Sequence, residues 1–160
     1  MCIVTDGTER NIPEGATQLS FNGIARVWRG NNGYVYKRSI PFLINNEIYL
    51  LEIMKDSGYV PRFVTRYDKY TIRMEDIGRT ERVTNKIIFS AHMYELRNIL
   101  MGRGIRHGDL TRYAVVVKKN KPFLIDFSES RLSNDPRPDK RVEGDKYWIE
   151  RTIDELTEGL

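Results

Sequence analysis

At 160 residues the chain has room for one domain with a real hydrophobic core, and its net charge of +4 favours contact with phosphates. No basic block stands out, so nucleic-acid binding is permitted by charge but not indicated. A single cysteine, Cys2, excludes an internal disulfide framework and a cysteine metal cluster, and the absence of an apolar run of about 18 residues or a leader pattern excludes a membrane partner and predicts a cytoplasmic location.

The first third reads as β-rich. Thr17 to Phe21 and Ile24 to Arg29 flank Asn22-Gly23, a dipeptide that takes positive φ at low cost and predicts a two-residue hairpin. Asn31-Asn32-Gly33 makes the next turn, and Tyr34-Val-Tyr36-Lys37-Arg38 alternates apolar and polar positions, so alternate side chains, Lys37 among them, share one face. From about Phe42 to Lys55 the period turns helical, with Pro41 near the start, Ile44, Ile48 and Leu51 on one face and Ser57-Gly58 as the stop. Glu47 lies on this helix. Strands from Arg62 to Tyr67 and from Tyr70 to Glu75 join across Asp68-Lys69, and Asp76-Ile-Gly78 breaks the pattern.

The remainder reads as mainly helical. A helix from Thr84 to Met101 shows a face at Ile87, Ala91 and Tyr94, and Gly102 and Gly104 end it. Tyr113 to Lys118 and Lys121 to Ile125 form a hairpin with Asn120 near its turn. Ser133 to Arg141 is loop-like, and Glu143 to Glu158 is an amphipathic helix carrying Trp148, Ile149, Ile153 and Leu156. The expected class is α+β: a five-stranded antiparallel sheet with one helix, then a reduced helical part containing a hairpin.

Two carboxylates bracket that hairpin. Asp109 follows a helix in Gly104-Ile-Arg-His107-Gly-Asp109-Leu, and Asp126 follows an apolar strand in Leu124-Ile-Asp126-Phe-Ser128. Taken singly, each is an ordinary turn or cap residue; together, 17 residues apart, they suit a phosphoryl-transfer site in which one acts as base and the other holds Mg²⁺. His107 is read as a structural hydrogen-bonding residue rather than an acid or base.

In this order, with Lys37 on a third strand, Glu47 on the next helix and Met74-Glu-Asp-Ile77 as connector, the chain resembles the protein-kinase-like superfamily over about Leu19 to Arg131. His107-Gly-Asp109-Leu-Thr and Asp145-Lys-Tyr-Trp-Ile-Glu-Arg are most similar to its smallest members, the minimal kinase of the KEOPS tRNA-modification complex and small aminoglycoside-phosphotransferase-like proteins. The resemblance implies one kinase-like domain over residues 1–160, with an N-lobe at about 15–76 and a reduced C-lobe at about 79–160. It further implies ATP and Mg²⁺ as cofactors. Lys37 would pair with the α- and β-phosphates and be held by Glu47, Asp126 would ligate the metal, and Asp109 would be the base. Main-chain groups from Glu75 to Ile77 would meet adenine, Asn22 and Gly23 would cover the phosphates, and His107 and Asp145 would brace the catalytic loop.

Departures from that pattern are specific. Ala114 stands where a kinase holds its second metal with Asn, and Ser20, Asn22 and Ala25 stand where a glycine-rich loop has glycine. Ser128 replaces a glycine, and Thr111 replaces a common lysine, with Arg112 the nearest charge in sequence. Only 34 residues follow Asp126, too few for an activation segment and peptide-docking helices. The leading expectation is an ATP-dependent phosphotransferase acting on a hydroxyl of a small-molecule or protein acceptor, impaired at the second metal position. The alternatives are a pseudokinase-type module that binds a nucleotide or a protein partner, and an ATPase-like helper of an RNA-modifying complex.

Overall fold

The computed structural model describes residues 12–21 and 23–160. Its first half is an antiparallel sheet of β1 (Thr17–Phe21), β2 (Arg26–Arg29), β3 (Tyr34–Arg38), β4 (Phe63–Asp68) and β5 (Thr71–Glu75), in the order β1-β2-β3-β5-β4. Helix α1 (Pro41–Met54) links β3 to β4. Its first position is proline, whose fixed φ suits a helix start and whose missing N–H would have had no partner there. Ile44, Leu50, Leu51 and Met54 of α1 are buried, and so is Glu47.

The first hairpin differs from the sequence expectation. Phe21 pairs with Arg26, so the connection is the four residues 22–25 rather than two. Ser39 Oγ donates to the Ile24 carbonyl at 3.2 Å, which holds that residue away from the ladder. Gly23, at φ +87°, makes the turn, and Asn22 lies outside the described residues. Between β4 and β5 the turn falls one residue later than expected, on Lys69-Tyr70, because Asp68 Oδ1 accepts from the Tyr70 N–H at 2.7 Å and starts the turn itself.

The second half holds helix α2 (Lys86–Gly102), strand β6 (Ile105–Arg106), a 3₁₀ turn (Arg112–Ala114), the hairpin β7 (Val115–Lys118) and β8 (Lys121–Leu124), strand β9 (Arg131–Leu132) and helix α3 (Gly144–Leu156). The face of α2 is not the expected one. Ile87 and Tyr94 are exposed, and the buried stripe is Phe89, Met93, Leu96 and Leu100. Both sets have helical spacing; the set carrying phenylalanine, methionine and leucines removes more apolar area from water.

The β7–β8 turn, Lys119-Asn120, has positive φ at both residues. Asn120 Oδ1 accepts the N–H groups of Thr84 and Asn85 at 2.7 and 3.0 Å, so the hairpin tip fastens the start of α2. The core runs continuously from Ile44, Leu51 and Ile72 to Leu96, Leu110, Phe127 and Ile149. The site is assembled on that shared core.

Candidate functional site

Strand β3 sits inside the sheet, between Val27 of β2 and Ile72 of β5 at the level of Lys37. The Lys37 side chain is therefore desolvated, at 5% exposure, and needs counter-charges. It has two: Glu47 Oε2 at 2.6 Å and Asp126 Oδ1 at 2.8 Å. Burial pulls the Lys37 pKa down, but Glu47 and Asp126 outweigh it and hold the ammonium well above its usual range. Burial pushes Glu47 up, and Lys37 offsets this only in part. For Asp126 the balance is reversed: burial pushes its pKa up, but Lys37 and the two bonds from Ser128 overcome that and hold it well below the usual carboxylate range.

The Ser128 bonds, N–H at 3.0 Å and Oγ at 2.8 Å, also go to Asp126 Oδ1. Oδ2, on a side chain 40% exposed, is left as a hard oxygen donor. No group of three or more His, Cys, Asp or Glu placed to hold a metal ion occurs among the described residues. A single carboxylate oxygen without a hydrogen-bond partner among the described residues suits a Mg²⁺ ion that takes its remaining ligands from phosphates and water, and does not suit an all-protein metal cage.

The loop bearing Asp109 is braced from two sides. Asp145, in the first turn of α3, accepts the N–H groups of His107 at 2.7 Å and Gly108 at 3.0 Å. His107 is 1% exposed; its Nδ1 accepts the Asp109 N–H at 3.3 Å, so its Nε2–H donates to the Asp126 carbonyl at 2.6 Å. One neutral imidazole thus spans the two carboxylate-bearing loops, and burial depresses its pKa against the pull of Asp145 and Asp126. Asp109 itself is held by two cations that the sequence reading missed: Lys140 Nζ lies 3.2 Å from Oδ2, and Arg141 Nε bonds Oδ1. Sequence offers no signal for them beyond a basic pair in a proline-rich loop.

A cavity of about 370 Å³ opens between the sheet and the hairpin. Lys37 and Asp126 stand in its lining, as do Val27, Val35, Val116 and Ile125. Glu75, Asp76 and Ile77 form its edge. Arg29 fixes that edge by a forked bond to Asp76, at 2.7 and 3.2 Å, and Asp76 Oδ1 accepts the Gly78 N–H at 2.8 Å. The Glu75 and Asp76 N–H groups are spent on the carbonyls of Arg62 and Gly33. A second cavity, about 440 Å³, is lined by Asn46, Tyr49, Arg131 and Arg137 among others and contains none of Lys37, Asp109 or Asp126.

The RIO domain family matches residues 32–152. The chain belongs to the RIO domain family. Among solved structures, its fold is similar to the Rio2 kinase from Chaetomium thermophilum, with a TM-score of 0.65 at 15% identity over 82% of this chain. The chain spans 53% of that kinase's length. No curated protein matches the sequence. The expected superfamily and α+β architecture are confirmed, and the fold is that of the atypical kinase-like, ATP-binding phosphotransferases. No helix among the described residues is long and apolar enough to cross a membrane.

This RIO domain departs from the general kinase site at definite points. Ala114 is 5% exposed and has no side-chain oxygen to offer a metal, and its carbonyl accepts the Ile125 N–H at 3.0 Å. Arg112 does not serve Asp109. Its guanidinium lies over the Tyr113 ring at 4.8 Å, donates to the Tyr113 hydroxyl at 2.9 Å and faces Glu155 of α3 at 4.0 Å. Charge reaches Asp109 instead from residues 140 and 141, across 31 and 32 positions of chain.

Proposed function

We propose that this RIO domain transfers the γ-phosphate of ATP to a hydroxyl of a small-molecule or protein acceptor. The observation that supports it most is the buried Lys37, paired at once with Glu47 and Asp126 beside a cavity large enough for a nucleotide. A lysine stem is flexible, and two anions fix its ammonium where a phosphate can reach it. The apolar walls at Val27, Val35, Val116 and Ile125 suit a purine. The Glu75 carbonyl and the Ile77 N–H are the edge groups for adenine, since the Glu75 and Asp76 N–H groups are already engaged.

In this reading Asp126 would hold Mg²⁺ through Oδ2, and the ion would supply positive charge to offset that of the phosphates. Asp109 orients the acceptor hydroxyl and receives its proton. His107 keeps the two loops in register, and Asp145 anchors the first of them. Residues 15–76 and 79–160 act as the two lobes of one kinase-like unit.

Ala114 favours a second reading, a module that binds nucleotide and turns it over slowly or not at all. Loss of the second metal ligand weakens neutralisation of the phosphates without removing Lys37, Glu47 or Asp126. Calorimetric titration with ATP, with and without Mg²⁺, tests what both readings share. Mg²⁺ tightens ATP binding to the parent chain, and Asp126→Ala abolishes that dependence; unchanged Mg²⁺ dependence in the variant refutes the metal assignment.

A further inference from the structure

The loop between β9 and α3 is built onto the Asp109 loop. Arg106 reaches it with bonds to the carbonyls of Asp135 and Arg137 at 2.8 and 3.3 Å, and lies 3.5 Å from the Asp139 carboxylate. Arg131 bonds the Pro138 carbonyl. Gly108, at φ +79°, touches the loop too: a Cβ there would stand 3.6 Å from the Asp139 side chain, and 2.9 Å from the carbonyl of Glu129, which precedes β9. The loop's next two residues, Lys140 and Arg141, then meet the two carboxylate oxygens of Asp109.

Two cations face one carboxylate, and they are not held alike. The Arg141 guanidinium lies over the Trp148 ring at 4.5 Å, so it is fixed by stacking as well as by its bond. Lys140 is 48% exposed, and its contact with Asp109 at 3.2 Å is its single polar contact among the described residues. A lysine at the end of a flexible stem, beside a carboxylate already neutralised by Arg141, is a cation with charge to spare. It is also the cation that position 111, a threonine, does not supply.

Resting on the phosphotransfer reading, we propose that Lys140 is a γ-phosphate ligand, delivered by the loop before α3, while Arg141 keeps Asp109 in place. Lys140 leaves Asp109 Oδ2 when the terminal phosphate offers a stronger counter-charge, and that frees the oxygen for the acceptor hydroxyl. The consequence is discrimination by phosphate number, since ADP carries no group for Lys140 to hold.

Titration of the full chain with MgATP and MgADP, beside Lys140→Gln and the exposed control Lys146→Gln, tests this. Lys140→Gln weakens ATP binding by about tenfold or more and leaves ADP binding within about twofold, as expected for loss of one charge-assisted bond. Lys146→Gln changes neither. An unchanged ratio of ATP to ADP affinity in Lys140→Gln overturns the assignment, and tighter ATP binding overturns it in favour of an inhibitory latch on Asp109. A wild-type chain that binds neither nucleotide refutes the nucleotide site itself, an outcome distinct from loss of discrimination alone.

Discussion

At the scale of single residues, His107 joins stability to the site. It is buried, neutral and bonded at both ring nitrogens. Because its folded pKa is depressed below the usual 6.5, the unfolded chain binds more protons, and stability falls as pH drops below about 6.5. Asp126, whose pKa is lowered, loses its contribution only below its unfolded value of 3.8, in a separate and more acid window. His107→Asn is expected to be less stable at pH 7 by about 1–3 kcal/mol, and its melting temperature to change less between pH 7 and 5 than that of the parent chain. Parallel melting curves for the two proteins over that range contradict the tautomer drawn from the hydrogen bonds. The meeting of Lys37, Glu47 and Asp126 was legible in the sequence because each occupies a fixed place relative to a strand, helix or turn. Lys140 and Arg141 were not, because they reach Asp109 through tertiary packing of an irregular loop with no period to read.

At the scale of elements, the long pieces were legible and the short ones were not. Helix α1 has a proline start and an apolar face that leave one reading. Helix α2 lies where the sequence predicts it but buries a different face, since Ile87, Ala91 and Tyr94 keep the same spacing as Phe89, Met93 and Leu96. Strands β6 and β9 are two residues each, too short for a period of two to show, yet their pairing at Ile105↔Leu132 and Arg106↔Arg131 sets the base of the loop that carries Lys140. Gly108 is the residue on which that loop and the Asp109 loop meet. Gly108→Ala forces a side chain against the Glu129 carbonyl in a left-handed conformation, and is expected to cost about 1–3 kcal/mol in denaturant unfolding. A loss under about 0.5 kcal/mol would show that the Asp109 loop and the Glu129 carbonyl are not packed as described.

At the scale of the whole molecule, the sheet and the helical half share one core through α1, Phe127 and Ile149, and the cavity lies where they face each other. Kinase-like order along the chain was readable because five strands, one helix and two carboxylate loops come in a sequence few folds share. What composition could not convey is that the Asp109 side of the site is closed by the chain's own cations. The chain also covers only about half of the Rio2 kinase to which its fold is similar, so the acceptor is to be sought by experiment rather than by likeness.

The most direct test of phosphoryl transfer is Mg²⁺-dependent ATP turnover by the parent chain, run beside Ala114→Asn, Asp109→Asn and Asp126→Ala. Slow turnover that rises in Ala114→Asn and disappears in Asp126→Ala is the predicted result, with Asp109→Asn retaining nucleotide binding but losing transfer. Turnover indifferent to Asp126, or none in either the parent chain or the Ala114→Asn variant, would contradict it.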